Sequence, residues 1–227
     1  MDRGNARATG VFFVVAAVAA IAGLVLYQPA LTDPGYVLGA GADGRVLLGG
    51  WLEVVLAASC IGTAVCVYPV VRRESESLAL GYVCGRVLEA AVITTGAVAT
   101  LSLVTLRQGG GPEDVAVARA LVALHDWTFL VGPGLVIGVN SLLLALLVHR
   151  ARLVPRWIAV LGLVGGPLVL LSSTSVMAGL VDDTSPWRFV AALPVTAWEM
   201  SLAVRLIVRG FGTPSGVRPP AAALTPA

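Results

Sequence analysis

Apolar residues dominate the chain in long runs, and polar residues gather in the short segments between these runs. An α-helix needs about 20 mostly apolar residues to cross about 30 Å of hydrocarbon. The runs that meet this length cover residues 9–28, 46–68, 78–106, 120–148, 154–180 and 188–208. The pattern therefore predicts an all-α, polytopic membrane protein, a bundle of six transmembrane helices.

The first run also has the features of a signal peptide, because Arg3 and Arg7 precede an Ala-rich apolar core. The run is long and five more follow it, so we interpret it as a retained first helix. The short connectors leave no room for a soluble catalytic domain. We expect one membrane domain over residues 1–210 and a disordered, Pro/Ala-rich cytoplasmic tail over 211–227.

The composition agrees with a membrane environment, since 57% of the residues are hydrophobic and only 12% are charged. The mean hydropathy is +0.90. Soluble domains are about 25% charged, so an ordinary soluble domain and intrinsic disorder are both excluded. The net charge of +2 is too small to indicate a nucleic-acid partner. The expected partner is the lipid bilayer.

The arginines predict the orientation of the bundle. One side of the runs carries Arg3, Arg7, Arg72, Arg73, Arg150, Arg152, Arg156, Arg205, Arg209 and Arg218. The other side carries only Arg45, Arg107, Arg119 and Arg188. Cytoplasmic loops hold the excess of basic residues in membrane proteins. We therefore expect both termini in the cytoplasm and segments 29–45, 107–118 and 181–187 outside.

The cysteines and histidines give no indication of a metal or a cofactor. Cys60, Cys66 and Cys84 fall inside runs two and three without CxxC spacing, so we interpret them as packing residues. His125 and His149 lie about 36 Å apart along one predicted helix, which disfavours a shared haem or zinc site. We expect no metal and no cofactor.

The segment GAGADG at residues 39–44 matches GxGxxG, but no strand precedes it and no βαβ unit surrounds it. We interpret the segment as a flexible turn, with Asp43 as the N-cap of the second helix. The chain has no HExxH, no GxSxG and no lysine for a Walker A motif. The sequence therefore contains no motif that indicates nucleotide binding or hydrolase activity.

Polar side chains inside the predicted membrane helices are the main functional candidates. They are Glu53, Arg86, Glu89, Asn140 and Glu199. A charge at the centre of a spanning helix costs at least about 2.5–3.5 kcal/mol, so such residues usually face the bundle interior, a partner or water. Arg86 and Glu89 share one helix face, and we expect Arg86 to contact Glu89, Glu199 or both. A purely structural ion-pair knot is the alternative.

A second polar layer is expected nearer the outer boundary. Glu53 lies about 10 Å below that boundary, close to the depth at which His125 and Asp126 enter the fourth helix. Histidine titrates near neutral pH, so this layer is a second candidate proton or ligand site. The alternative interpretation is a solvated pair of residues at the membrane boundary.

Small residues and prolines surround these charges. Gly81, Gly85 and Glu89 form one row on the third helix, and such small faces allow close approach between membrane helices. The faces could also assemble a homo-oligomer. Kinks are predicted in helices four, five and six at Pro133, Pro167 and Pro194. Broken backbone is tolerated where it lines a wet cavity, so the kinks are further candidates for the site.

Three blocks of sequence resemble a known family. They are GAGADGRVLLGGWLEVVLAASCIGTAVCVYPVVRRESESLALGYVCGRVLEA, HDWTFLVGPGLVIGVNSLLLALLV and LPVTAWEMSLAVRLIVRGF. Over roughly Asp33 to Phe211 the chain resembles a bacterial family of integral membrane proteins, the domain of unknown function numbered four-three-eight-six. The resemblance implies a multi-span protein of a bacterial cytoplasmic membrane. It implies no particular activity.

Three functional hypotheses follow from these residues. The first is a small-solute or proton-linked, transporter-like or ligand-sensing protein. Here Glu89 or Glu199 exchanges a proton or binds a cationic group, and Arg86 is the counter-ion. The second is an intramembrane enzyme, which is disfavoured because no set of nucleophile, base and orienting residue is visible. The third is a non-catalytic partner subunit. A cavity that reaches the glutamates from one side would favour the first.

Overall fold

The computed structural model describes residues 3–33, 35–39, 41–109, 111, 114–182 and 185–212. Its α-helices are α1 (Arg3–Thr32), α2 (Asp43–Val71), α3 (Glu76–Gly109), α4 (Val115–Phe129), α5 (Ile137–Arg150), α6 (Arg156–Met177) and α7 (Pro186–Arg209). A short 3₁₀-helix covers Tyr36–Leu38, and a π-helical segment covers Leu130–Val136. The predicted tail lies outside the described residues, apart from its first two.

The all-helical, six-span architecture is confirmed. Six helices are long and apolar enough to cross a membrane, the fourth being the continuous rod Val115–Arg150. Five of them extend a few residues beyond the predicted apolar runs. The fifth span is shorter than predicted and ends at Met177, because Gly179 adopts a left-handed conformation with φ of +68°. A left-handed residue shortly after the last turn is a common way to end a helix.

The six spans form a closed ring in sequence order. Each span packs against the next, and α7 packs against α1 to complete the ring. The backbone N–H of Gly212 donates to the carbonyl of Leu153 at 2.7 Å, which holds the end of α7 beside the α5–α6 connection. We call this end of the ring the terminal end. The α1–α2, α3–α4 and α6–α7 connections form the distal end.

Glycines set the closest helix contacts. A Cβ added at Gly165 in α6 would lie 2.5 Å from the backbone nitrogen of Val195 in α7. A Cβ at Gly138 in α5 would lie 2.9 Å from the carbonyl oxygen of Gly166 in α6. These small-residue faces are occupied by neighbouring helices of the same chain. They therefore give no support to the expected homo-oligomer.

The terminal half of the ring is filled with apolar side chains. A cluster of buried residues draws members from all six spans, among them Phe13, Val67, Tyr82, Leu147, Ile158 and Trp198. The other tryptophans, Trp51, Trp127, Trp157 and Trp187, are exposed on the outside of the ring. This arrangement agrees with an aromatic belt in contact with lipid headgroups. The largest apolar core among the described residues thus lies in the terminal half of the ring.

The three predicted kink positions differ in structure. Pro133 lies inside the π-helical segment Leu130–Val136, where the helix widens before α5 begins. Helices α6 and α7 continue as α-helix through Pro167 and Pro194. A π-helical segment is rare and often marks a functional site. The segment at Pro133 faces the interior of the ring, where the charged residues lie.

Candidate functional site: a charged cluster inside the helix ring

Arg86 lies at the centre of the ring and joins two carboxylates. Its Nη1 is 3.1 Å from Glu89 Oε2 on the same helix, and its Nη2 is 3.1 Å from Glu199 Oε1 on α7. The expected contact of Arg86 with these glutamates is therefore confirmed for both. Arg86 and Glu89 are 4% and 3% exposed, whereas Glu199 is 18% exposed. Glu199 is the accessible member of the cluster.

Neutral groups complete the surroundings of the guanidinium. Arg86 Nε donates to the Tyr82 hydroxyl at 3.1 Å, and Nη1 lies 3.8 Å from Cys60 Sγ on α2. The guanidinium carbon lies 5.3 Å from the ring centroid of Phe13 on α1 and 5.6 Å from that of Tyr82. Aromatic faces stabilise a desolvated cation. Four spans thus hold this one charge in place.

Asn140 extends the cluster to the fourth span. Its Nδ2 donates to Glu89 Oε2 at 2.7 Å, and the side chain is fully buried. A Cβ at Gly85 would overlap the Asn140 side-chain oxygen, so only glycine allows Asn140 this position. Within the row Gly81, Gly85 and Glu89 predicted on α3, Gly85 therefore leaves the space in which the amide reaches the carboxylate.

The sequence of α3 explains why these side chains meet. Tyr82, Arg86, Glu89 and Ile93 follow each other at spacings of four, three and four residues, which places them on one face of a helix. All of them are buried. Because α3 presents this face to the interior of a closed ring, its charges find partners on the other spans and not in lipid.

A second polar layer lies between the cluster and the distal end. The Tyr27 hydroxyl donates to Glu53 Oε1 at 2.9 Å, and the Tyr27 ring meets the His125 ring edge-on at 5.2 Å. His125 Nδ1 lies 3.5 Å from Asp126 Oδ1. Glu53 and His125 are buried, while Asp126 is exposed. The expected group of Glu53, His125 and Asp126 is thus assembled through Tyr27, which the sequence did not single out.

Two adjoining cavities connect these layers. The inner cavity has a volume of about 240 Å³ and is lined by Phe13, Glu53, Arg86, Glu89, Phe129 and Glu199, among others. The distal cavity has a volume of about 500 Å³, and its polar wall includes Gln28, His125, Asp126, Ser172 and Arg188. Leu24, Phe129 and Pro133 line both cavities. The two cavities are therefore neighbours, and the inner one reaches the charged cluster.

The connection between α1 and α2 is held at the distal end by a group that we call the distal clasp: Tyr36, Gly39, Asp43, Arg107 and Gln108. The Asp43 carboxylate accepts from the Arg107 guanidinium and from Gln108 Nε2, and Arg107 Nη1 donates to the Gly39 carbonyl. The Tyr36 hydroxyl donates to Asp43 Oδ1 at 3.2 Å. Burial, followed by the adjacent Asp43 charge, raises the pKa of the Tyr36 phenol.

The distal clasp corrects one expectation. Helix α2 begins at Asp43 itself, and its N-cap is Ala42 without a side-chain hydrogen bond. The prediction that Asp43 caps the helix is therefore wrong. A carboxylate that binds a guanidinium through two nitrogens gains more than one capping bond supplies. Arg107 competes successfully for the same oxygens.

Several residues of the site escaped sequence reasoning. Tyr82 could have been found, because it lies one helical turn before Arg86 on the same face. Tyr27 and Phe13 gave no comparable indication, since one lies near a membrane boundary and the other in an apolar run. The role of the predicted residues in binding or proton transfer stays a prediction.

These features define a polytopic membrane protein whose six spans enclose a charged cluster. The chain belongs to the family described as Domain of unknown function (DUF4386), which matches residues 8–210. The match begins at residue 8, in the second turn of α1. The resemblance seen in the sequence blocks began only at Asp33. Searches among curated proteins and among solved structures found no match. The function must therefore be argued from the site.

Proposed function

We propose that this protein binds a small organic cation, or a proton in its place, at Glu199 inside the ring. Such binding supports a transporter-like or ligand-sensing role in a bacterial cytoplasmic membrane. The observation that carries the proposal is a cavity that reaches the Arg86–Glu89–Glu199 cluster and adjoins a second cavity at the distal end. We infer that the cluster is reached from the distal end, because the large apolar core fills the terminal half of the ring. A site open to one side favours binding over a sealed structural ion pair.

The charge of the cluster favours a cation. One guanidinium faces two carboxylates, which leaves a net charge of −1 when both carboxylates are ionised. Glu53 adds a third carboxyl group to the same cavity wall. Among the described residues, Glu89 already receives bonds from Arg86 and Asn140, whereas Glu199 receives one bond, from Arg86. A cation entering the inner cavity would therefore pair with Glu199.

The remaining wall of the inner cavity favours an apolar body on that cation. The α1 side is built from alanine, isoleucine and leucine, namely Ala16, Ala17, Ala20, Ile21 and Leu24. The rings of Phe13 and Phe129 also line the cavity, and aromatic faces attract ammonium groups. A volume of about 240 Å³ corresponds to about eight water molecules at ~30 Å³ each. A short alkylammonium ion meets these requirements of charge, shape and size.

Calorimetric titration of the protein in lipid nanodiscs with butylammonium tests the cation. Neutral butanol serves as the matched ligand without charge. Loss of one charge-assisted hydrogen bond costs about 1.5–3 kcal/mol, so Glu199→Gln should weaken butylammonium binding at least about tenfold. Glu74→Gln, which removes an exposed carboxylate from a connection, should leave it unchanged. Equal binding by the wild type and Glu199→Gln, or equal binding of butanol, would contradict the assignment.

Proton binding at Glu199 needs a separate measurement, because titration with butylammonium does not detect it. Carboxylate infrared difference spectra between about pH 5 and 9 cover the window in which a functional group has to titrate. We expect a protonation change that disappears in Glu199→Gln and persists in Glu74→Gln. If a normally folded Glu199→Gln protein shows the same spectrum as the wild type, the proton-linked role is wrong.

A further inference from the structure

A polar site separate from the charged cluster lies on the outer surface of the ring, towards the terminal end. The start of α6 and the last two turns of α7 border a groove of about 570 Å³. We call it the α6–α7 groove. Its lining consists of Pro155, Trp157, Ile158, Met200, Ser201, Val204, Arg205, Val208 and Arg209. The groove combines two arginines with an apolar wall, and none of the described residues that line it is acidic.

Arg205 is the unusual residue of this groove. Its Nε and Nη1 are buried from solvent and have no hydrogen-bond partner among the described residues. The ion pairs found in the described part of the chain involve Arg86, Arg107 and His125, so they leave Arg205 and Arg209 without a carboxylate. A guanidinium nitrogen that loses water without gaining an acceptor is costly. These two nitrogens therefore need an acceptor that the described residues do not supply.

The position of the groove restricts what that anion can be. Arg205 lies one turn, about 6 Å, before the end of α7 at Arg209, where a long basic side chain reaches the membrane boundary. Trp157 is 60% exposed beside it, as expected of a residue at headgroup depth. Val204 and Val208 on the same wall are also exposed and face the lipid side of the ring.

We propose that the α6–α7 groove binds an anionic phospholipid. The phosphate accepts hydrogen bonds from Arg205 and Arg209, and Ser201, one turn earlier on the same face, offers a hydroxyl donor. One acyl chain lies along Met200, Val204 and Val208. Basic pockets between membrane helices are suited to anionic headgroups. Both arginines lie in the last turns of α7, and the carboxyl end of a helix stabilises nearby cations.

The test uses Trp157 as a reporter in nanodiscs of phosphatidylcholine. Brominated phosphatidylglycerol or brominated phosphatidylcholine is added at the same small mole fraction. Quenching assigned to Trp157, by difference from Trp157→Phe, should be stronger with the anionic lipid. Arg205→Gln should reduce this preference about fivefold, the effect of one arginine charge near the membrane surface. Arg73→Gln removes an exposed arginine at the same end of the ring and should leave the preference unchanged.

Three results would overturn the proposal. Equal quenching by both lipids would exclude an anionic site, and an equal loss in Arg73→Gln would indicate unspecific surface charge. If inorganic phosphate at the same concentration as the anionic lipid abolished the preference for that lipid, the groove would be assigned to a soluble anion. If Arg205→Gln does not fold, Arg209→Gln and the wild-type comparison of the two brominated lipids still decide the question.

Discussion

Removal of the Arg86 guanidinium tests whether the charged cluster is a coupled unit. Arg86 is 4% exposed and donates to Glu89, Glu199 and Tyr82, each at 3.1 Å. Arg86→Ala leaves two carboxylates inside the ring without a counter-ion, and breaking a buried pair from one side costs about 3–5 kcal/mol. Glu89→Gln removes one of these charges. The double variant should therefore be more stable than Arg86→Ala alone, with a coupling of about 1–3 kcal/mol.

The assay is the unfolding free energy of the wild type, both single variants and the double variant in one detergent. Arg73 and Glu76 provide a matched control, since they have the same residue types and spacing but are both exposed. Their two substitutions should be additive. Additivity within about 0.5 kcal/mol for Arg86 and Glu89 as well would refute the coupled cluster.

Three further predictions concern the frame around the site. Arg107→Gln should open the distal clasp and speed amide exchange in the α1–α2 connection, and an unchanged exchange rate would show that the clasp is not needed. Gly165→Ala should destabilise the protein by about 1–3 kcal/mol, because the added methyl group overpacks against α7. Gly81→Ala should not destabilise it, since the nearest atom to the added Cβ is 3.7 Å away. Equal melting temperatures of the two variants would contradict this prediction. In a background without native cysteines, an impermeant thiol reagent added outside cells should label Asp182→Cys and spare Ser77→Cys; the reverse pattern would invert the topology.

The spans could be predicted because length and hydropathy alone decide whether a helix crosses a bilayer. The end of α6 could not, since it depends on the left-handed backbone of Gly179. The π-helical segment Leu130–Val136 could not be predicted from the sequence either. Proline at position 133 predicts a local fault in the helix, but packing against neighbouring spans decides whether that fault becomes a kink or a wider turn.

The site was predictable where its contacts are local. Arg86 and Glu89 lie three residues apart, so helix geometry places them together. Glu199 is 113 residues from Arg86, and its contact was expected only as one of two alternatives, from the cost of an unpaired charge inside the membrane. The closure of the ring between α1 and α7 brings the two side chains together. Tyr27 on α1 joins Glu53 on α2 to His125 on α4, and its contact with His125 also depends on helices that are distant in sequence. Its position near a membrane boundary resembles that of an ordinary belt aromatic, which conceals its role.

Accessibility of the inner cavity tests the central claim most directly. Ala16 lines this cavity on α1, whereas Val18, two residues later, is 61% exposed on the lipid-facing side. Single cysteines at the two positions should be treated with a charged, impermeant methanethiosulfonate from each side of sealed vesicles. We predict that Ala16→Cys reacts only from the distal end, that butylammonium protects it, and that Val18→Cys does not react. Reaction of Ala16→Cys from the terminal end, or from neither end, would contradict a one-sided binding site at Glu199.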